Sequence, residues 1–526
     1  MKKIFILFIL FSGFARAQQE DAWVYFTDKP ETDYYMANPL EMLSQKALDR
    51  RATQGIALDE KDVPVHQPYL TGIDAAAGIT VMAQSKWLNA AHVRGTASQV
   101  NALQNLSYVD HIDFANHALN NGRTMQPAQT TATKNTQQNY NYGPSGEQVQ
   151  MLNGHVLHQQ GYTAEGITIA IMDAGFPGVN TVQPFQHLIS NNLVLGGHNF
   201  VANSTNFYTG GDHGTKVLST LAGYTEGQLV GSAPDAFYYL FVTEDITGEN
   251  PVEESYWVQA AEMADSLGVD IISTSLGYFQ YDNPTYNYTY NDMDGETAFM
   301  SRGAAVAFTR GMLLVTSAGN EGADAEPHIG VPADAINTLT VGAVDAAEQY
   351  AYFSSIGPSA DGRIKPDVMA KGLAATYADP DGSITTGNGT SFAAPILAGV
   401  VACLWQAAPD KTNAEILQIV KQSADRYSNP NAQYGYGIPD FSTALEAALG
   451  LQDISRDTVL LYPNPTTGVV YFPANINDIK LYNALGQEVF KAHAVKTINI
   501  EKLPTGFYSY IIISGNTTQS GKLIKQ

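Results

Sequence analysis

From about residue 142 to 448, short apolar runs alternate with longer helical stretches, and this alternation restricts the chain more than any other feature. The runs 166–172, 236–242, 269–275 and 312–317 read as strands, the first of them a buried one. Alternating with helices, they imply a sheet covered on both faces. Helical stretches fall between them at 214–223, 251–267 and 296–310. Such a repeat predicts an α/β fold with a largely parallel, doubly wound sheet. Function in these sheets sits beyond the carboxyl ends of the strands.

The flanking segments have other characters. Lys2 and Lys3 precede the apolar run 4–11, and Ala15-Arg16-Ala17 offers a small-residue cleavage site. Residues 1–17 therefore read as a secretory signal peptide, too short to span a bilayer. No later segment reads as a transmembrane span. Residues 18–117 suggest a small α/β unit, with alternating strands at 22–26 and 108–114 and helices at 39–51 and 98–106. Residues 118–141 lose all apolar pattern and are dominated by Gln, Thr, Asn and Ala, as expected of an exposed, cleavable linker. A folded unit between a signal peptide and such a linker suggests a propeptide. The last part, 456–526, has short alternating runs between turns and predicts a small all-β sandwich. The net charge of -23 repels nucleic acid and anionic membranes. Cys403 is the sole cysteine, so no internal disulfide exists, and its apolar surroundings predict burial.

Three residues at element boundaries carry the chemistry. Asp173 ends the first strand of the central region, in Met172-Asp173-Ala174-Gly175. His213 opens a helix in Asp212-His213-Gly214-Thr215, and Ser391 opens another in Gly389-Thr390-Ser391-Phe392-Ala393-Ala394-Pro395. Each alone reads equally as a cap or a turn residue. Together they supply what nucleophilic catalysis needs: a hydroxyl, an imidazole to take its proton, and a carboxylate to hold the imidazole in one tautomer. A helix start also offers Ser391 free N–H groups and a favourable dipole for developing negative charge. Asn320, in Ser317-Ala318-Gly319-Asn320-Glu321-Gly322, adds a side-chain donor for an oxyanion.

In these four motifs the central region resembles the subtilisin-like serine proteases, or subtilases. The resemblance implies a seven-stranded, mostly parallel sheet and endopeptidase activity on proteins or peptides through an acyl-enzyme. Asp173 would orient His213, Ser391 would attack, and Asn320 would stabilise the oxyanion. It further implies that substrate adds as a strand beside Ser275-Leu276-Gly277, that Ala318 and Gly319 help wall the pocket for the residue before the cut, and that Gly330 lies near a roomy floor. An apolar or aromatic residue is expected there, with Glu321 at the mouth. The N-terminal unit would act as the enzyme's own inhibitor until the linker is cut. No cofactor is required by this chemistry and no metal ligand set is identified. A structural calcium is conceivable at Asp292 and Asp294 in the long loop 279–295, which otherwise reads as solvated.

The tail resembles the C-terminal sorting domain of the type IX (Por) secretion system of Bacteroidetes. The matching pieces are Leu461-Tyr462-Pro463-Asn464-Pro465, Ile479-Lys480-Leu481-Tyr482-Asn483, Leu503-Pro504-Thr505-Gly506-Phe507-Tyr508 and Gly521-Lys522-Leu523-Ile524. This implies export across the outer membrane by the type IX machinery, to the medium or the cell surface. A function of another class, an inactive protease-fold scaffold at the cell surface, remains the alternative; the intact quartet opposes it.

Overall fold

The computed structural model describes residues 18–119, 140–450, 461–483, 487–514 and 517–526. The expected signal peptide and almost all of the expected linker lie outside these residues. The chain divides into two compact units, Met1–Leu449 and Gly450–Gln526.

The N-terminal domain is the predicted α/β unit. Strands β1 (Gln19–Phe26), β2 (Thr80–Ser85), β3 (Ala90–Thr96) and β4 (Val109–Phe114) form one sheet in the order β2-β3-β1-β4. Its core is Ala22, Val24, Ile73, Val93, Val100 and Phe114. Between β1 and the helix Gln67–Asp74 the chain inserts a further helix, α1 (Gln45–Thr53), capped by the Ser44 side chain on the Ala47 N–H.

The central sheet has seven strands: β5 (Thr168–Asp173), β6 (Val194–Asn199), β7 (Phe237–Val242), β8 (Ile271–Thr274), β9 (Leu313–Ser317), β10 (Leu339–Val344) and β11 (Val368–Lys371). Their order is β11-β10-β9-β8-β5-β7-β6, and every pairing is parallel. The strands read from the sequence are β5, β7, β8 and β9; every residue of β5, β8 and β9 is buried, as is every residue of β10, while Phe237 and Tyr239 of β7 are half-buried. A hairpin, β12 (Ala375–Ala378) with β13 (Ile384–Gly387), leads into the serine helix.

Four helices place the site: α2 (His213–Ala222), α3 (Val252–Leu267), α4 (Phe299–Thr309) and α5 (Thr390–Ala407). Helix α3 ends on Gly268 at φ +83°, the left-handed conformation that glycine adopts without strain. All residues of α5 are buried, Cys403 among them. By length and hydropathy α5 could cross a membrane, which corrects the sequence expectation that no later segment qualifies; its complete burial makes it the core helix of this domain.

The N-terminal domain packs on α3 and α4. Trp23 stacks on Phe299 at 4.9 Å and donates its indole N–H to Ser255 at 2.8 Å. Glu262 accepts from Ser85 Oγ and from the Lys86 and Trp87 N–H groups. From α1, Arg50 and Arg51 both reach Asp265, and Arg51 also holds Asp62.

The tail is all-β. In place of two facing layers, its described residues form one antiparallel sheet of β14 (Val469–Tyr482), β15 (Glu488–Asn499), β16 (Gly506–Ser514) and β17 (Thr517–Lys525), ordered β15-β14-β16-β17. Its core includes Val470, Phe472, Ile479, Leu481, Ile512 and Leu523.

Candidate active site

The chain delivers Asp173, His213, Asn320 and Ser391 from four separate segments: the end of β5, the start of α2, the loop after β9 and the start of α5. The Asp173 side chain is fully buried. It accepts from the Ala174 N–H at 2.7 Å and lies 2.8 and 3.1 Å from His213 Nδ1. An ionised carboxylate only accepts, so Nδ1 carries the proton and Nε2 is the basic nitrogen. The Asp173 charge raises the imidazole pKa above its ordinary value, against the opposing effect of burial. Gly214 permits this approach: a Cβ there would sit 2.9 Å from Asp173 Cβ and 2.5 Å from the Gly175 carbonyl oxygen.

Ser391 is the second residue of α5, in a turn whose N–H groups have no intrahelical acceptor. The ring of the following residue, Phe392, lies 6.4 Å from the His213 ring. Gly389 must be glycine for the hydroxyl to occupy its place, because a Cβ there would lie 2.6 Å from Ser391 Oγ. Pro395 has no N–H for the Ser391 carbonyl one turn back. Ser275 Oγ donates to that carbonyl instead, at 2.9 Å. A helix-breaking residue thus ties the serine to the segment after β8.

Asn320 Oδ1 accepts from the Thr390 N–H at 3.0 Å and from Thr390 Oγ1 at 3.1 Å. A backbone N–H can only donate, so this atom is the oxygen, and both protons of Nδ2 stay available to an acceptor. Thr390 Oγ1 also lies 3.0 Å from the Gly319 carbonyl, so its single proton is shared between that oxygen and Asn320 Oδ1. Sequence reasoning missed Thr390 and the Ser275 hydroxyl as site-building groups. Their only signal was adjacency to residues already chosen.

Of the expected substrate-binding residues, Ser275 is buried, Leu276 is half-buried and Gly277 is exposed. The three lie outside any ladder, between the end of β8 and Tyr278, which exchanges two backbone hydrogen bonds with Val331 at 2.9 and 3.0 Å. Ala318 packs with Ile329 and Ala333. Gly319 sits at φ +105°, and a Cβ there would meet Glu321 Oε2 at 2.3 Å and Ser355 Oγ at 2.7 Å. Glu321 accepts from the Ser355 hydroxyl at 2.6 Å. Gly330 faces backbone: a Cβ would lie 2.7 Å from the Tyr278 carbonyl oxygen, so its glycine serves that close approach of two chains.

The loop 279–295 differs from the solvated loop expected. Tyr281, Tyr286 and Tyr288 are buried, and Tyr281 and Tyr288 both donate to Glu254 Oε1 at 2.8 and 2.7 Å. Asp292 accepts from Thr289 N and Oγ1; Asp294 accepts from Glu296 N, Thr297 N and Thr297 Oγ1. Both carboxylates thus cap turns. Among the described residues no three His, Cys, Asp or Glu side chains gather as a metal site would need.

The profile described as "Subtilase family" matches residues 164–437, more than half of the chain. The chain belongs to the subtilase family. Profiles for a peptidase S8 propeptide domain of Bacteroidota and a secretion system C-terminal sorting domain match residues 21–135 and 460–526. This subtilase is 31% identical over 301 residues to subtilisin NAT of Bacillus subtilis subsp. natto, covering 57% of this chain and 70% of the relative. The same identity and length hold for subtilisin of Bacillus pumilus, covering 57% and 98%. Alkaline elastase YaB of Bacillus sp. (strain YaB) is 28% identical over 293 residues, covering 55% and 67%. The protein is a subtilisin-like serine peptidase with a propeptide domain and a sorting domain for type IX export.

Proposed function

We propose that this subtilase cleaves peptide bonds through a covalent intermediate on Ser391. His213 Nε2 takes the Ser391 proton as Oγ attacks the scissile carbonyl. The oxyanion that forms accepts from Asn320 Nδ2 and the Ser391 N–H. His213 then gives the proton to the leaving amine, and an acyl ester remains. Water attacks the ester with its proton passing to His213, and collapse of the second tetrahedral species releases the acid and restores Ser391. Asp173 holds the tautomer and stabilises the imidazolium.

The observation that carries the reading is the buried Asp173 bonded at 2.8 Å to His213, whose ring lies 6.4 Å from that of Phe392, the residue after Ser391, while the Asn320 oxygen is engaged by the Thr390 N–H on the other side of the serine. Substrate would lie as a strand along Ser275-Leu276-Gly277, with main-chain bonds giving affinity and the pocket beside Ala318 and Gly319 selecting an apolar or aromatic residue. The chain would be made with a signal peptide and as a zymogen, cut in 118–141 by its own active site, and released or retained at the surface after type IX export. The test is the full-length Ser391→Ala protein. It is expected to accumulate uncut at the linker, whereas processing there at the wild-type rate would show that another protease matures it.

A further inference from the structure

Lys216 lies on α2 one turn beyond His213. Its ammonium is 2.7 Å from Asp212 Oδ2 and 3.5 Å from Asp379 Oδ1, and the side chain is 22% exposed. Asp379 follows β12, in the hairpin that leads into the serine helix. The same ammonium lies 6.0 Å from the centre of the Tyr377 ring, on β12 itself. Tyr377 in turn stacks on Phe392 at 4.9 Å and 8°, and Phe392 follows Ser391. Gly387 makes the stack possible, since a Cβ there would lie 2.8 Å from Tyr377 Cε1 and 3.3 Å from Phe392 Cε2. A second tie crosses the same gap: the Ala378 N–H donates to Ser219 Oγ of α2 at 2.8 Å. Lys216, Tyr377 and Phe392 thus lie in a row between the helix of His213 and that of Ser391, with the Tyr377–Phe392 stack as its packed member.

We propose that Lys216, held by Asp212, Asp379 and the Tyr377 ring, is a positioning residue of this active site. It fixes the histidine helix against the hairpin that leads into the Ser391 helix, and its positive charge disfavours a second one on the imidazole. The inference rests on His213 acting as the general base of Ser391. The charged groups that act on His213 are Asp173 on β5 and Asp212 and Lys216 at the start of its own helix, and Asp379 on the hairpin faces Lys216. Among them Lys216 lowers the imidazole pKa while Asp173 and Asp212 raise it. The bond to Asp212 keeps Lys216 itself protonated, with its own pKa raised. Loss of Lys216 removes one positive charge and leaves Asp212 and Asp379 uncompensated. Both changes favour protonated His213.

The test is the pH dependence of kcat/KM for a peptide amide, measured on the matured full-length protein and its variants. In Lys216→Met and in Lys216→Gln the acidic limb is expected to move up by about 0.5–1 pH unit, the scale of one nearby charge in a partly screened site. Lys216→Arg is expected to restore the wild-type limb. Tyr377→Ala is expected to lower kcat about tenfold by loosening the geometry, with Tyr377→Phe close to wild type. An unmoved limb in both neutral variants, or a limb that moves equally in Lys216→Arg, overturns the inference. So does a Tyr377→Ala protein with wild-type kcat. Ser391→Ala, cut within 118–141 by added wild-type enzyme and then freed of it, separates the two levels. If it hydrolyses substrate at the wild-type rate, the serine mechanism itself fails; if it is inert while the Lys216 limb stays put, this inference alone fails.

Discussion

Replacing Asp265 with alanine is expected to weaken the hold of the N-terminal domain on the protease by about two orders of magnitude or more. Asp265, in the last turn of α3, is the point on which Arg50 and Arg51 of the inserted helix α1 converge. The Asp265 side chain is fully buried, and those of Arg50 and Arg51 are 4% and 2% exposed. Removing one partner of a buried ion cluster costs about 3–5 kcal/mol, because the charge left behind stays desolvated. At 1.4 kcal/mol per tenfold, that range corresponds to roughly 10²–10³·⁵ in a dissociation constant. The lower end applies here. Arg51 keeps Asp62 at 2.6 Å, and Arg50 keeps the Val269 carbonyl, so neither guanidinium is stranded. The assay is inhibition of the mature protease by a separately supplied N-terminal domain, comparing wild type with Asp265→Ala. A change of less than tenfold would refute the reasoning, and would place the grip in the Trp23–Phe299 stack and the Glu262 bonds instead.

Other outcomes follow from the same geometry. Asp173→Asn is expected to reduce kcat about 10⁴-fold through the wrong tautomer. It also removes the charge that raises the His213 pKa, so the acidic limb of kcat/KM should move to lower pH, opposite to the Lys216 variants. Gly389→Ala should lower kcat/KM at least about 100-fold, because its Cβ would displace Ser391 Oγ; circular dichroism should show the fold retained. Burial raises the pKa values of Glu244 and Glu253, helped by the charges of Glu249 and Asp173 on Glu244 and of Glu244 and Glu249 on Glu253, which disfavours their ionised forms. In the unfolded chain both ionise in the ordinary carboxylate range, so folding stability falls as pH rises from that range through the raised values. Glu253→Gln should flatten that fall, raising Tm relative to wild type at alkaline pH and changing it little near pH 4, as thermal melts across pH would show.

The sheet and the four proposed catalytic residues were legible because they depend on local pattern. Buried parallel strands are continuous apolar runs, and residues at their ends stand beside glycines that let backbones meet. Gly214 is such a glycine, close to the Gly175 backbone and Asp173, and Gly389 leaves room for the Ser391 hydroxyl two residues on. What the sequence hid depends on partners far apart in the chain. The Arg50 and Arg51 contacts with Asp265 join residues separated by 215 and 214 positions, and nothing near either end announces the other. The loop 279–295 misled for a related reason. Its tyrosines and asparagines are turn-like in composition, but Tyr281 and Tyr288 find a buried acceptor in Glu254 on α3, which converts polar rings into core. The close approach of Gly330 to the Tyr278 backbone is another contact between distant parts of the chain, and no residue near either position signals it. The inserted helix between β1 and the Gln67–Asp74 helix was read as a helix, but its docking on α3 was invisible.

The central claim is tested most directly by treating the matured protein with a fluorophosphonate and locating the adduct by mass spectrometry. The account predicts one phosphonyl group, on Ser391, absent in Ser391→Ala and formed far more slowly in His213→Ala. An adduct on another residue, or unchanged labelling of Ser391→Ala, would contradict it.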